Sequence, residues 1–314
     1  MATDAFNGSK DDVCETPRPG GEGCLGARVV SRIGYGAGRL PNLAADRTAA
    51  LGLLRRAARM GVDHIDTAQF YGDGLSNSLI GQAFDPDDGI VVVSKIGAEH
   101  VPGSGVPLQA AQRPEQLRAA VQDNLRSLRL EQIPVVNLRR LDMRPGLRAE
   151  GDQAVDVDDQ LAVMVAMRDE GLIGDFGLSA VSADVLRRAL PAGPVCVQNA
   201  YSLVARDSEE LLRICTAHGI AWVPFFPLGG AFPGVPKVVE DPVVQQVAGS
   251  LGCTPAQAGL AWLLAHAPTA LLIPGTTDPA HLDANLAVGD IRLDDAALAA
   301  LDAVTSRSSD VPLG

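Results

Sequence analysis

Short β-branched runs alternate with amphipathic helical stretches from residue 29 onward, and this alternation leaves few architectures open. Runs at 30–35, 62–65, 90–94, 135–139, 173–178, 195–198, 220–225 and 270–273 read as strands. Stretches at 46–60, 76–84, 114–128, 154–170, 183–190, 208–218, 255–266 and 279–286 read as helices. Pro114 and Pro255 stand at first helical positions, Thr254 is placed as an N-cap, and Gly61, Gly171 and Gly219 follow helix ends. Eight strand–helix pairs predict an α/β protein with a single (β/α)8 barrel, the TIM-barrel architecture. A doubly wound open sheet shares the alternation. It requires a glycine fingerprint that opens a helix directly after the first strand, and Gly34-Tyr35-Gly36-Ala37-Gly38 matches only in part. Two segments fall outside the repeat. The Gly/Pro-rich stretch 228–241 reads as a lid over a ligand, and 293–306 as a C-terminal helix.

The chain has 314 residues, 46% of them hydrophobic, enough for one α/β domain of the larger kind. Residues 1–27 are rich in Gly, Asp and Pro and are expected to form a mobile arm, 28–306 the barrel domain and 307–314 a tail. A formal net charge of −12 argues against nucleic acid and anionic membrane as partners. No apolar run approaches the roughly 20 residues that span a bilayer, and the first 27 residues hold no signal-peptide core. Cys14, Cys24, Cys196, Cys215 and Cys253 are scattered without a Cys-x-x-Cys pair. That pattern fits a reducing cytoplasm and no metal site. Oligomeric state stays open.

Within this frame the segment Asp66-Thr67-Ala68-Gln69-Phe70-Tyr71-Gly72-Asp73 puts an acid at a strand end and a phenol in the loop above it. Lys95 closes the run 90–94, and Arg139 closes 135–138. Taken singly each has a plain structural reading. Together they fall at or just after strand C-termini, the face on which such barrels carry their sites.

These pieces resemble the aldo-keto reductases. The resemblance rests on Gly61-Val62-Asp63-His64-Ile65-Asp66-Thr67-Ala68 with Tyr71-Gly72, Val93-Ser94-Lys95, Gly177-Leu178-Ser179, Val197-Gln198, Phe226-Pro227-Leu228 and Ile273-Pro274-Gly275. It implies a reductase of a small-molecule carbonyl or imine that binds NADPH extended across the rim, with NADH as the alternative. Tyr71 is then the proton donor, tuned by Lys95 and Asp66. Chemically this is coherent, because a reduced carbonyl develops charge on oxygen and an ammonium beside a phenol favours proton release.

The family's fourth catalytic position is a histidine, and here the slot holds Arg139. Arginine is permanently charged and has no acceptor. It would bind an anionic group of the substrate, replace histidine as the polarising donor, or mark chemistry other than carbonyl reduction. Its structural reading is an ion pair with Asp142 or Asp66, while Arg140 points away from the site. The resemblance assigns Ser179 and Gln198 to the nicotinamide amide, Phe225 to stacking on the ring, and Phe226, Leu228 and Gly229 to the pyrophosphate path. The usual asparagine after the serine is Ala180. Around the adenosine 2′-phosphate, Gly275 and His281 stand where a Lys and an Arg are usual, whereas Thr276 and Asn285 match. His64 reads as a hydrogen-bonded core histidine, Trp222 and Trp262 as core. Composition rich in Ala and Arg fits a GC-rich bacterial source and a biosynthetic role. Two other classes remain: a nucleotide-binding regulatory barrel, and a non-redox cyclase or dehydratase using Tyr71 and Arg139.

Overall fold

A computed structural model describes residues 17–100, 108–143, 147–230 and 235–307. The chain enters as an antiparallel hairpin, β1 (Glu22–Leu25) paired with β2 (Arg28–Ser31). Barrel strands follow: β3 (Tyr35–Gly36), β4 (His64–Asp66) and β5 (Val91–Ile96). A short ribbon of β6 (Ala98–Glu99) and β7 (Gln109–Ala110) then stands on the rim. The barrel resumes with β8 (Ile133–Arg139), β9 (Ile173–Ser179), β10 (Cys196–Gln198) and β11 (Ala221–Trp222).

The barrel strands form one parallel sheet ordered β11-β10-β9-β8-β5-β4-β3. Residues 270–272 close it, bridging Trp222 on one side (Trp222↔Ala270) and Ile33 on the other (Ile33↔Leu272), both parallel. Reciprocal bonds Gly34 N→Leu272 O (2.8 Å) and Leu272 N→Arg32 O (2.8 Å) fix that seam. The expected eighth strand is therefore present as single bridges rather than a continuous ladder.

Among the described residues ten α-helices surround the barrel: α1 (Arg47–Arg59), α2 (Leu75–Ala83), α3 (Pro114–Leu128), α4 (Val157–Asp169), α5 (Ala183–Ala189), α6 (Glu209–His218), α7 (Pro242–Leu251), α8 (Pro255–His266), α9 (Pro279–Leu286) and α10 (Asp295–Asp302). Their buried stripes meet the outward strand residues in one large core. A second, smaller apolar cluster fills the barrel interior, including Leu25, Val30, Val93, Val135, Val223 and Leu271. Leu25 and Val30 come from the hairpin, so β1–β2 stops the N-terminal end of the barrel.

Three expectations are corrected. The mobile arm expected over 1–27 does not extend that far, because residues 17–27 carry β1 and its lead-in, with Leu25 1% exposed; residues 1–16 lie outside the described residues. The lead-in is tied by Ile33 N→Pro19 O (3.1 Å), and a Cβ on Gly61 would sit 2.4 Å from Pro17 O. The strand expected at 30–35 is split, residues 28–31 going to the hairpin and 35–36 to the barrel. Finally, α7 follows the expected lid directly, and the sequence reading assigned it no element. Its start is signalled by Asp241, whose carboxylate caps Val243 N and Val244 N ahead of Pro242, and its end by left-handed Gly252. Most of the tail expected at 307–314 lies outside the described residues. Among the described residues no helix is long and apolar enough to cross a membrane.

Candidate active site

Asp66, Lys95, Arg139, Ser179 and Gln198 are the last residues, or next to last, of β4, β5, β8, β9 and β10. Parallel registry therefore brings them to one rim, and Arg139 lies directly beside Ser179. Asp66 (2% exposed) and Lys95 (3%) are buried and ion-paired through Asp66 Oδ1. Lys95 Nζ also donates to Thr67 O at 3.0 Å, and Gln198 Nε2 donates to Asp66 Oδ2 at 2.7 Å. Both carboxylate oxygens of Asp66 are thus engaged. Burial alone would pull the Lys95 ammonium down, but the charges of Asp66 and Tyr71 outweigh it and hold Lys95 above its ordinary value.

Tyr71 lies in the turn after β4, with Tyr71 N donating to Ala68 O at 3.0 Å. Lys95 Nζ sits 5.1 Å from the centre of its ring. Phe70 meets the ring edge-on at 5.2 Å, and the ring passes close over Gly38, where an added Cβ would come within 3.5 Å of it. A buried polar network holds this turn. Thr67 Oγ1 donates to Asn77 Oδ1 (2.8 Å), and Asn77 Nδ2 donates to Gln69 Oε1 (2.8 Å) and Asn124 Oδ1 (2.8 Å). Ser94, one residue before Lys95, donates to the same Asn124 oxygen. The network links the strand carrying Lys95 to the turn carrying Tyr71. Sequence reasoning missed it. Its signal is an asparagine on the buried stripe of each of two helices: Asn77 on α2, and Asn124 among Leu117, Val121, Leu125 and Leu128 on α3.

Arg139 and Arg140 divide as alternation along a strand requires. Arg140 turns to the helix layer and pairs with Asp142 (2.8 and 3.1 Å) and with Gln160 of α4. That removes Asp142 as a partner for Arg139, and Asp66 is taken by Lys95 and Gln198. The Arg139 guanidinium lies over the Phe225 ring at 5.4 Å, and its buried Nε has no hydrogen-bond partner among the described residues. Burial lowers its pKa from the ordinary value, opposed only by the charges of Tyr71 and Asp66. The structural reading of Arg139 as one half of an ion pair therefore finds no carboxylate among the described residues.

The residues assigned to a nicotinamide also carry unmet hydrogen-bonding capacity. Ser179 Oγ and Gln198 Oε1 are buried without partners among the described residues, a donor–acceptor pair that fits a carboxamide. Phe225 and Phe226 meet edge-on at 5.1 Å. Phe226 adopts a left-handed backbone (φ +55°), as does Ala180 (φ +53°), and strain of this kind concentrates at functional rims. At Gly229 (φ +87°) the chain passes so close to Pro236 O that a Cβ would lie 2.2 Å from it, and Val238 N donates to Leu228 O (3.1 Å). The described ends of the expected lid are therefore pinned to each other; residues 231–234 lie outside the described set.

A second group stands at the start of α9. Asp278 caps Ala280 N (2.7 Å) and His281 N (3.4 Å), and Thr276 Oγ1 accepts from Asp278 N (3.0 Å). Tyr35 Oη donates to Thr276 O at 2.7 Å. Gly275 has a packing reason, since its Cβ would fall 2.5 Å from Gly36 O across the barrel seam. His281 is exposed and Asn285 half-buried. A 2′-phosphate here would meet little positive charge from this segment. His64 is buried as expected, but among the described residues it finds no hydrogen-bond partner: its Nδ1 is 3.7 Å from Asp63 Oδ1 and its Nε2 is unpartnered. Trp222 and Trp262 are fully buried core. Among the described residues no cluster of three His, Cys, Asp or Glu side chains could hold a metal.

With the geometry in place, known proteins give the context. The family model described as "Aldo/keto reductase family" matches residues 32–306. Pyridoxine 4-dehydrogenase of Escherichia coli K12 is 39% identical over 288 residues, covering 90% of this chain and 97% of that protein. An uncharacterized oxidoreductase of Schizosaccharomyces pombe is 33% identical over 285 residues, 88% of each chain. Among solved structures, an aldo-keto reductase from Klebsiella pneumoniae in complex with NADPH superposes with a TM-score of 0.73 at 26% identity, covering 91% of this chain and 95% of that one. Another from the same organism, in complex with NADP and acetate, gives 0.74 at 25% identity, covering 96% and 100%. Rim, barrel and matched span agree: the chain belongs to the aldo/keto reductase family and is an oxidoreductase on a (β/α)8 barrel.

Proposed function

We propose that the protein is an NADPH-dependent reductase of a small aldehyde, with Tyr71 as proton donor, and that it interconverts pyridoxine and its 4-aldehyde. The observation that carries the reading is the Asp66–Lys95 pair, buried and set under the Tyr71 ring at 5.1 Å. When bound, NADPH supplies the hydride. Ser179 Oγ and Gln198 Oε1 hold the nicotinamide amide, and Phe225 gives the ring a flat wall. Tyr71 delivers its proton to the carbonyl oxygen as charge builds there. Lys95 stabilises the phenolate this leaves, and Asp66 keeps the ammonium charged and in place. The pyridoxine assignment is supported by the relative that is 39% identical over nearly its whole length.

The intact proton-handling set favours this over a regulatory nucleotide-binding barrel or a non-redox enzyme. The test is NADPH oxidation with the 4-aldehyde of pyridoxine, followed at 340 nm, in wild type and Tyr71→Phe. Loss of the phenol hydroxyl should lower kcat by roughly 10²–10⁴-fold while NADPH binding persists. Equal turnover in the variant removes Tyr71 from the mechanism, and no oxidation by wild type removes the substrate.

A further inference from the structure

A permanently charged side chain at the edge of a binding site normally finds a carboxylate, because a desolvated cation without a counter-charge is costly. At this rim the neighbouring acids are committed elsewhere: Asp66 to Lys95 and Gln198, Asp142 to Arg140. The Arg139 guanidinium is left part-buried on the face of Phe225, with Nε lacking a hydrogen-bond partner among the described residues. It stands one strand over from Lys95, since Asn137 and Leu138 of β8 pair with Lys95 and Ile96 of β5. It also stands beside Ser179, the residue proposed to hold the nicotinamide amide. The guanidinium thus lies on the same rim as Tyr71, Lys95 and Ser179, where it can meet a group carried by the substrate. The guanidinium faces the flat ring of Phe225, and the Tyr71 ring stands over neighbouring Lys95.

We propose that Arg139 binds an oxyanion adjacent to the reacting carbonyl, so that the site selects planar aromatic aldehydes with an ionisable hydroxyl ortho to the aldehyde. This deepens the reductase reading and rests on it. The pyridoxine ring has this feature, a hydroxyl on the carbon next to the one bearing the reacting group. The ring nitrogen is not required. An ionised ortho oxygen feeds electron density into the aldehyde and opposes hydride addition. Pairing with a guanidinium withdraws that density and fixes the ring with its carbonyl toward Tyr71. In the step, the aldehyde carbon gains a C–H bond and two electrons from NADPH. The C=O π pair moves to oxygen, Tyr71 supplies the proton, and the products are the primary alcohol and NADP⁺. A bidentate or charge-assisted contact of this type corresponds to roughly a ten- to hundredfold preference.

The experiment compares kcat/KM for 2-hydroxy- and 4-hydroxybenzaldehyde, which share the electronic effect of the hydroxyl and differ in its position. The methoxy pair serves as a non-ionisable control. The expected result for wild type is an ortho/para ratio of ten or more for the hydroxy pair and near one for the methoxy pair, a comparison that needs no variant. Arg139→Gln should bring the hydroxy ratio toward one, with the Kd for NADPH, read by quenching of protein fluorescence, held within twofold. A wild-type hydroxy ratio near one, or equal ratios for the hydroxy and methoxy pairs, overturns the proposal while leaving the reductase reading intact. So does an Arg139→Gln enzyme that keeps the ratio but loses NADPH affinity, which would assign the guanidinium to the cofactor. Preference for phenylglyoxylate over every aldehyde overturns the substrate class in favour of a 2-oxo acid. Absence of NADPH oxidation with all of these compounds instead removes the reductase reading itself.

Discussion

Lys95 and Asp66 show what a buried ion pair does at a single residue. Each is nearly inaccessible, and each is the other's buried counter-charge. Lys95→Met would leave Asp66 uncompensated, and unfolding in urea should show a loss of about 3–5 kcal/mol. The double variant Lys95→Met/Asp66→Asn should lose less than Lys95→Met alone, which a double-mutant cycle would establish. A larger loss in the double variant would mean that the pair does not act as a unit. Around the start of α9, where the adenosine end of a dinucleotide is proposed to lie, charge is scarce instead. His281 is exposed beside amides already capped by Asp278, so His281→Arg should raise NADPH affinity about tenfold, roughly 1.4 kcal/mol, and leave NADH unchanged. Parallel gains for both dinucleotides would place that side chain away from the 2′-phosphate. The positions of Asp66, Tyr71, Lys95 and Arg139 were legible in the sequence because a strand end fixes a residue on the rim. Which acid serves which arginine was not legible. Arg139 and Arg140 lie three and two residues before Asp142, both within reach in sequence, and the alternation of the strand decides that Arg140 takes it.

At the level of elements, helices were read closely where caps were strong: α3 and α8 occupy 114–128 and 255–266, as expected. Helix α7 escaped although Asp241-Pro242 and Gly252 mark it, because the Gly/Pro-rich stretch before it suggested one long loop. The split of the first strand was hidden for a different reason. Val29, Val30, Ile33 and Tyr35 read as one strand-like run, and such a run does not say which sheet a strand joins. The buried Asn77–Asn124 network was equally silent, since a polar residue on an apolar face has meaning only once its partners are near. One helix end carries removable strain. Arg129, exposed, closes α3 in the left-handed region at φ +59°, where glycine is favoured. Arg129→Gly should raise stability by about 0.5–1 kcal/mol without altering kcat/KM, as thermal unfolding and a standard assay would show. A lowered Tm would mean that the arginine side chain holds that corner.

Over the whole molecule, the closed sheet, the outer helices and the N-terminal hairpin form one body, and the hairpin is fastened by Asp63. Its carboxylate accepts from Ser31 N (2.7 Å), Ser31 Oγ (2.8 Å) and Arg18 Nε (3.0 Å). Burial alone would raise the Asp63 pKa, but the donors from Ser31 and Arg18 and the neighbouring His64 outweigh it and hold it well below the usual range. A depressed carboxylate contributes stability that is complete above its unfolded pKa, near 3.9, and is lost as pH falls toward the folded value. Wild type should therefore lose Tm below about pH 4, and Asp63→Asn should be less stable at neutral pH with a flatter acid limb. Parallel acid limbs in the two proteins would mean that the hairpin is held by packing alone. That packing is the floor of the barrel, where Leu25 and Val30 sit below Val93, Val135 and Leu271. A barrel with a sealed floor is a cul-de-sac. In the proposed mechanism, any proton Tyr71 gives up would have to be replaced through the same mouth that admits the substrate and releases the product, so recharging the acid and emptying the site share one doorway.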